Sequence, residues 1–388
     1  MKVNWLDLNP LAAGDWLYLF EETIRSFSFW PERWGYHYSG MGGPNYASGL
    51  VYFFTTTAKL FNSLGASWPL IERLVWFGPI FGLTLFSSFF LAKQLFTGKS
   101  LFYWLTPVLY FFNTYFLLLI DGGQLGVAFG YSLAPLILGF LVSLPKNHRW
   151  PRRLMIGLAF GLQILLEPRI FLLTLGTVLG YFILVAGAKK VYGLLLFWPL
   201  LLALTVNLFW LWPALTVKGG ALPPDYGTAG WIGFLSFANF SGTLSLLHPN
   251  WPENIFGKTY LLRPEFLVLP VLAFSSLLFI NYSRVSDLPA GKAGLTSLKA
   301  GKLNNSLINN KVILHFNLLA LLGAFLAKGS NPPFGWIYLW LFDYLPGMKL
   351  FRDPTKFYFL VALSYSILIP HSLAKIYQLF FTKELIKK

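Results

Sequence analysis

The sequence predicts an all-α polytopic membrane protein, a bundle of about nine or ten transmembrane helices. Of its 388 residues, 56% are hydrophobic and only 12% are charged, whereas a soluble domain averages about 25% charged residues. Several apolar runs approach or exceed the roughly 20 residues that a helix needs to cross a bilayer. The weak alternating segments of a transmembrane β-barrel are absent from the sequence.

The basic character of the chain fits the same fold class. The net charge is +15, which in a soluble protein would suggest a nucleic-acid partner. In a membrane protein, basic residues gather in the cytoplasmic loops, so we expect a lipid bilayer as the partner and no nucleic acid. The chain has no cysteine, which excludes disulfides and thiolate metal sites. Its first residues lack the basic-then-apolar pattern of a signal peptide.

Apolar runs predict the spanning helices in order along the chain. They lie near residues 70–96, 101–120, 125–144, 153–167, 169–187, 192–215, 265–281, 311–327 and 357–380. A further run near 46–64 is less apolar and contains three threonines and a lysine. It predicts either a tenth span or an interfacial helix.

Basic clusters predict which connections face the cytoplasm. They are Lys93 with Lys99, residues 145–153, Lys189 with Lys190, the loop 284–311 and the C-terminal residues 383–388. All of them share one side if 46–64 does not span and if 153–187 is a hairpin broken at Glu-Pro-Arg. The opposite connections then face outward, namely residues 1–69, 121–126, 167–169, 216–264 and 328–356.

The chain reads as one integral-membrane domain over residues 1–388. Residues 1–69 predict a first outer loop with an interfacial helix. Residues 216–264 predict a long outer loop, with a helix near 231–247 lying over a cleft. Residues 282–310 repeat Ala-Gly-Lys, and their composition cannot build a core. We expect them to form a flexible cytoplasmic insertion.

Acidic residues concentrate in the predicted outer connections. Asp15 follows Gly14 in an aromatic, glycine-rich loop. It is either a site residue or the N-cap of the next helix, and Glu22 in that helix reads most simply as part of a solvated face. Asp121 and Gln124 predict either an ordinary turn at the start of a helix or part of a polar outer cleft.

Two further charged groups lie against apolar runs. Glu167 and Arg169 form either a structural pair or a site, because charges are costly within a membrane. Asp353 before a proline is a typical N-cap. Arg352 and Lys356 either extend to lipid phosphates or bind an anion, since Arg offers a planar fork and Lys a point charge.

The sequence predicts no metal site. His248 lies in the long outer loop as a secondary cleft candidate, but a lone histidine is more often structural than a ligand. No two histidines have the spacing of a helical metal pair.

Six stretches carry a resemblance over nearly the whole chain. In order they are "GDWLYLFEETI", "GMGGPNYASGLVYFF", "SWPLIERLVW", "DGGQLGVAFGYSLAPL", "LLLALTVNLFWLWPAL" and "LPGMKLFRDPTKFYFL". The ordered set resembles the integral-membrane GT-C glycosyltransferases that use polyprenyl-phosphate sugars. It is most similar to the membrane region of the actinobacterial α-(1→3)-arabinofuranosyltransferases and to related bacterial membrane proteins.

The resemblance implies an activity and a set of residue roles. The enzyme would transfer a sugar, with arabinofuranose as one option, from a polyprenyl-phosphate donor to a cell-envelope glycan or lipid, with inversion. Asp15 matches the acidic catalytic base of the family's first outer loop. Arg352, Lys356 and Arg169 would hold the donor phosphate, because the leaving group is an anion. The resemblance implies no certain cofactor; a divalent metal is an option without sequence support.

The resemblance also implies a location, and the sequence differs from the family in two respects. The home would be a prokaryotic plasma membrane, with the polar loops outside and the C-terminus cytoplasmic. Members of the family normally begin with a transmembrane helix ahead of the first outer loop and carry carbohydrate-binding modules after the membrane region. The sequence has neither, so we expect a truncated gene product, a mis-called start or a reduced relative. The alternatives are a lipid-linked sugar transporter or flippase, which needs a polar path across the bilayer, and a non-catalytic membrane scaffold.

Overall fold

The computed structural model describes most of the chain. The described residues are 9, 11, 14–16, 18–30, 34–35, 43–44, 48–96, 101–144, 150–187, 190–216, 228–247, 264–280 and 308–385. The predicted insertion lies outside them except for residues 308–310. Among the described residues the protein is a helix bundle with one small ribbon, in which β1 (Trp34–Gly35) pairs antiparallel with β2 (Gly43–Pro44).

The helices follow the predicted apolar runs. The α-helices are α1 (Glu21–Ser26), α2 (Gly49–Ser63), α3 (Trp68–Ile71), α4 (Gly78–Leu95), α5 (Leu105–Phe111), α6 (Thr114–Asp121), α7 (Leu125–Ser143), α8 (Trp150–Leu166), α9 (Pro168–Leu184), α10 (Lys190–Thr216), α11 (Ala229–Leu235), α12 (Phe240–Leu244), α13 (Val268–Phe274), α14 (Asn310–Ala327), α15 (Gly335–Tyr344) and α16 (Tyr358–Leu385). A π-helix (Glu72–Phe77) joins α3 to α4, and 3₁₀ turns cover Leu101–Trp104, Pro264–Leu267, Ser275–Phe279, Met348–Phe351 and Pro354–Phe357.

Six helical segments of the described chain are long and apolar enough to cross a membrane. They are Trp68–Leu95, Phe102–Asp121, Leu125–Ser143, Leu195–Thr216, Asn310–Ala327 and Pro354–Phe380. Pro168–Leu184 and Glu265–Phe279 are shorter apolar helices. The prediction of a helical membrane protein is therefore confirmed, while the exact number of spans stays a prediction.

Two of these segments form the centre of the bundle. In the most apolar 18-residue stretch of each segment, 94% of the residues of Pro354–Phe380 and 83% of those of Leu125–Ser143 are buried inside the protein. The corresponding fraction for Leu195–Thr216 is 33%. The first two helices thus build the core, and the third lies at the periphery, where its apolar side chains suit contact with lipid.

The chain reverses at Glu167, as the sequence predicted. α8 ends at Leu166 and α9 begins at Pro168, a residue that suits the first position of a helix. Gln163 Nε2 donates to Thr174 Oγ1 at 2.9 Å across the break. Residues on either side of the turn are therefore in contact, and α8 and α9 form a hairpin.

α2 begins and ends at the hairpin-turn end of the bundle. A Cβ atom at Gly49 would lie 2.5 Å from Leu165 O, so this helix starts against the end of α8. Further along, the rings of Phe54 and Trp68 both contact the ring of Trp16, with centroid distances of 5.3 and 5.6 Å. The chain before and after α2 therefore lies at the same end of the bundle, and α2 is not among the helices long and apolar enough to cross a membrane; its interfacial position stays a prediction.

The helix predicted near 231–247 is two short helices, α11 and α12, with an extended connection between them. The turn after α14 holds this connection, since Asn331 Nδ2 donates to Ser236 O at 2.6 Å and to Ala238 O at 2.8 Å. A helix that the sequence did not predict, α15, follows the turn and fills part of the connection 328–356.

Candidate functional site

A cavity of about 1080 Å³ lies at the hairpin-turn end of the bundle. Each of the connections predicted to face outward contributes to its wall. The polar members are Asp15, Asp121, Gln124, Glu167, Arg169, Arg352, Asp353, Thr355 and Lys356. Eight of the ten residues proposed from the sequence as site or cleft residues therefore share one cavity.

The turn before α16 holds Lys356 in a fixed position. Its Nζ donates to Asp353 Oδ2 and to Gln124 Oε1, each at 2.8 Å. Asp353 Oδ1 accepts from the Thr355 hydroxyl at 2.6 Å and from the Thr355 amide at 3.0 Å. Asp353 thus caps the turn as predicted, and it also orients the lysine.

The charge state of Asp353 follows from these contacts. Burial raises the pKa of its carboxyl, but the Lys356 ammonium and the Thr355 hydrogen bonds outweigh burial and hold the pKa well below its usual range. Lys356 is 2% exposed, so the alternative in which it extends to lipid phosphates is wrong. Its ammonium has three donors, of which Asp353 and Gln124 take two. Within the described part of the chain the third is left for an added acceptor.

Glu167 and Arg169 form a two-bond ion pair at the tip of the hairpin. Arg169 Nε donates to Glu167 Oε1 at 2.5 Å, and Nη2 donates to Oε2 at 2.7 Å. The predicted pairing is confirmed, and both side chains also line the cavity; their role as site residues stays a prediction. A guanidinium has five N–H donors in a planar fork, so Nη1 can still bind an anion.

Arg352 adds a third cation to the same wall. Burial and the nearby Arg169 lower its pKa, whereas Asp353 raises it. An arginine pKa begins so high that the group stays protonated in proteins. Arg352 is therefore close enough to interact electrostatically with both Arg169 and Asp353.

Asp15 is held against the turn between α6 and α7. Its amide donates to Gly122 O at 2.8 Å. Gly14 has a φ of +55°, and a Cβ atom there would lie 2.3 Å from Gly122 O. Asp15 does not cap α1, which begins at Glu21 after the N-cap residue Phe20, so that alternative is wrong. Among the described residues none donates a hydrogen bond to its carboxylate.

The Asp-Gly-Gly-Gln turn differs from its prediction in one respect. Asp121 is the last residue of α6, so it does not open the following helix; Gln124 precedes the first residue of α7. Both line the cavity, and the side chain of Gln124 binds Lys356 across the bundle.

The two remaining site candidates do not join this group. Glu22 is exposed on α1 and does not line the cavity. Its neighbour Glu21 pairs with Arg25 on the helix surface at 3.2 Å, so this face is solvated, as the structural alternative predicted. His248 lies outside the described residues.

The rest of the cavity wall is apolar and aromatic. Leu50, Val51 and Phe54 of α2 form one part of it. Trp231 of α11 and Phe237 in the connection after α11 form another. The wall therefore combines charged groups with surface that suits a hydrocarbon chain or the flat face of a sugar ring.

The described part of the chain holds no group of three or more His, Cys, Asp or Glu side chains arranged to bind a metal ion. The described residues give the cavity four carboxylates and three cations. Two of the carboxylates, those of Glu167 and Asp353, already bind cations. Among the described residues, Asp15 and Asp121 are thus the cavity carboxylates without an ion-pair partner.

Sequence reasoning missed a buried ion pair behind the cavity. Glu72 is fully buried and Arg73 is 7% exposed, with 3.6 Å between Arg73 Nη1 and Glu72 Oε1. Arg73 also donates to the Asn9 carbonyl oxygen at 2.8 Å. The pair could have been predicted from two adjacent charges at the start of a predicted span, since ionisable residues in such segments are rare and usually have a partner.

Gly14 provides a test of the contact that places Asp15. We expect Gly14→Ala to lower stability more than Gly65→Ala. Both glycines have positive φ, which costs an alanine about 1–2 kcal/mol, but a Cβ atom at Gly65 meets nothing within 4 Å. Thermal unfolding in detergent, followed by tryptophan fluorescence, measures the difference. Equal losses for the two variants would contradict a tight contact between Gly14 and Gly122.

Comparison of the chain with protein-family models, with curated proteins and with solved structures gave no match. The similarity to the GT-C glycosyltransferases therefore stays a prediction from the sequence motifs. What supports a function for this chain is the composition and geometry of the cavity.

Proposed function

We propose that the protein is a membrane glycosyltransferase of the GT-C type. The observation that carries the proposal is the cavity, which brings three cations together beside an apolar wall. Among the described residues it also holds two carboxylates without an ion pair, those of Asp15 and Asp121. The donor would be a polyprenyl-phosphate sugar, and the acceptor a hydroxyl of a cell-envelope glycan or lipid. Arabinofuranose is a candidate sugar.

The proposed reaction is a single displacement at the anomeric carbon. The acceptor oxygen forms a bond to that carbon while the bond from the carbon to the phosphate oxygen breaks, so the configuration inverts. Asp15 takes the proton of the acceptor hydroxyl. General base catalysis by a positioned carboxylate contributes typically about 10²–10⁴-fold.

The cations serve the leaving group in this proposal. Polyprenyl phosphate departs as an anion, so electrostatic stabilisation replaces a general acid. Arg169 and Lys356 are already oriented by their carboxylate partners and keep N–H donors for the phosphate. Arg352 supplies a further fork that can bind two phosphate oxygens.

The apolar wall accounts for the lipid part of the donor. Leu50, Val51 and Phe54 would contact the first isoprene units, and the rest of the chain would lie among the helices. We place the cavity at the outer face of a prokaryotic plasma membrane, because the basic clusters predict that the other end is cytoplasmic.

A transfer assay tests the proposal. The purified protein in liposomes receives a panel of radiolabelled polyprenyl-phosphate sugars together with envelope glycan acceptors. We expect transfer from at least one donor, and loss of transfer in Arg352→Gln but not in Glu22→Gln, which alters a carboxylate outside the cavity. A folded protein that transfers no sugar across a broad panel would contradict the proposal and favour a flippase or a scaffold.

A further inference from the structure

A buried glutamate behind the cavity holds the segment that contains Asp15. Glu72 is fully buried, and both of its carboxylate oxygens accept hydrogen bonds. Oε1 accepts from the Leu11 amide at 2.7 Å, and Oε2 accepts from Trp16 Nε1 at 3.1 Å. Because Trp16 directly follows Asp15, this carboxylate binds the chain one residue beyond the candidate base.

The same short segment is held from its other side. The Asp15 amide donates to Gly122 O, and Gly14 packs against the same carbonyl group. Two supports therefore hold the backbone near residue 15. They are the α6–α7 turn, which bonds to the Asp15 amide, and the Glu72 carboxylate, which bonds to the Trp16 indole. Both supports belong to elements packed in the bundle, so the Asp15 side chain enters the cavity from a fixed base.

The local helix geometry is unusual at this glutamate. Glu72 is the first residue of the π-helix Glu72–Phe77, in which the Gly78 amide donates to Arg73 O, five residues earlier. Such turns are rare and occur frequently at functional sites. Apolar residues could fill the same space as Glu72 and Arg73, because a buried ion pair is often no more stabilising than well-packed apolar side chains. The pair instead forms bonds to one segment, at Asn9, Leu11 and Trp16.

We infer that Glu72 is a positioning residue that acts through Trp16 to keep the Asp15 carboxylate at the reacting hydroxyl. This inference rests on the proposed function for the role of Asp15, but the contact itself can be tested without it. A displacement of about 1 Å at a reacting group can cost about 10²-fold in rate. Loss of the Glu72 contact should therefore lower kcat and leave KM for the donor nearly unchanged, since the donor phosphate binds elsewhere in the cavity.

Two variants break the contact in different ways. Glu72→Gln offers only one acceptor oxygen, and its NH₂ group faces a donor, so one of the two hydrogen bonds must be lost. Trp16→Phe removes the indole N–H together with the five-membered ring and keeps one six-membered aromatic ring. It breaks the hydrogen bond from the other partner, so it provides the second test if Glu72→Gln folds poorly. Glu22→Gln, on the exposed face of α1, is the matched control.

A cross-linking measurement reports the position of residue 15 without any activity. The natural chain has no cysteine, so Asp15→Cys together with Asp121→Cys introduces the only thiols. We expect a short bismaleimide to join the two thiols efficiently in the protein that keeps Glu72 and Trp16. The yield should fall when Glu72→Gln or Trp16→Phe is added and stay the same with Glu22→Gln.

The outcomes separate the inference from the proposed function. A lower cross-linking yield together with a fall of about 10²-fold in kcat at constant donor KM supports Glu72 as a positioning residue. If Glu72→Gln and Trp16→Phe leave the cross-linking yield unchanged, or lower only the stability of the protein and not kcat, the inference is overturned. If no variant transfers sugar while the yield still depends on Glu72, the proposed function fails and the contact between Glu72 and the Asp15 segment stands.

Discussion

Asp15→Asn should slow sugar transfer by orders of magnitude and leave the protein folded. Asparagine has nearly the same shape as aspartate but cannot take the proton of the acceptor hydroxyl. The expected fall in kcat is about 10²–10⁴-fold, the usual contribution of a positioned general base. The backbone bond from residue 15 to Gly122 O is independent of the side chain, so the segment keeps its place.

The measurement is initial transfer rate in liposomes, normalised to folded protein. Asp121→Asn is the matched comparison, because it removes the other carboxylate of the cavity that no ion pair neutralises. We expect its effect to be the smaller one if Asp15 is the base. Full activity of Asp15→Asn would refute the assignment, and a larger loss in Asp121→Asn would transfer the role to that residue.

The second large effect concerns the buried pair of Asp353 and Lys356. We expect Lys356→Met to destabilise the protein by about 3 kcal/mol, the lower part of the range for removing one partner of a buried ion pair. The lower value applies because the Asp353 side chain is 21% exposed, against 3% for Lys356. The remaining carboxylate would keep its bonds to Thr355 but lose its cation.

The double variant Asp353→Asn with Lys356→Met separates stability from function. Asparagine also serves as an N-cap, and no charge is left without a partner, so much of the lost stability should return. Transfer should stay low, because the cation that would bind the donor phosphate is still missing. Thermal unfolding in detergent and transfer rates from the same preparations measure both. If the losses of the two single variants simply add in the double variant, the pair is not energetically coupled.

The pH dependence of this pair has a definite direction. The pKa of Asp353 is lowered in the folded protein, so its contribution to stability is fully present above the ordinary carboxyl pKa of about 3.9. It is lost only as the pH falls below that value toward the lowered pKa. We therefore expect the stability difference between the natural protein and Asp353→Asn to be constant from pH 5 to 8, where the Asp353 carboxyl is ionised in both the folded and the unfolded protein. The difference should shrink in stronger acid.

The sequence by itself determined the elements that depend on local composition. Apolar runs long enough for a bilayer located the helices, because hydrocarbon excludes unpaired backbone groups. The break at Glu167 followed from the basic residues at both ends of 153–187. The cap at Asp353 followed from the preferences of aspartate and proline at helix starts. Charge placement grouped the polar connections at one end, and the cavity contains residues from all of them.

Only the tertiary structure decided how those connections meet. Lys356 binds Gln124 across 232 positions of the chain, and Trp16 binds Glu72 across 56. No local pattern encodes such pairs, because they depend on which helix faces pack together. For the same reason the sequence could name Asp15 and Lys356 as candidates, yet it could not reveal that Glu72 supports the first or that Asp353 and Gln124 jointly orient the second.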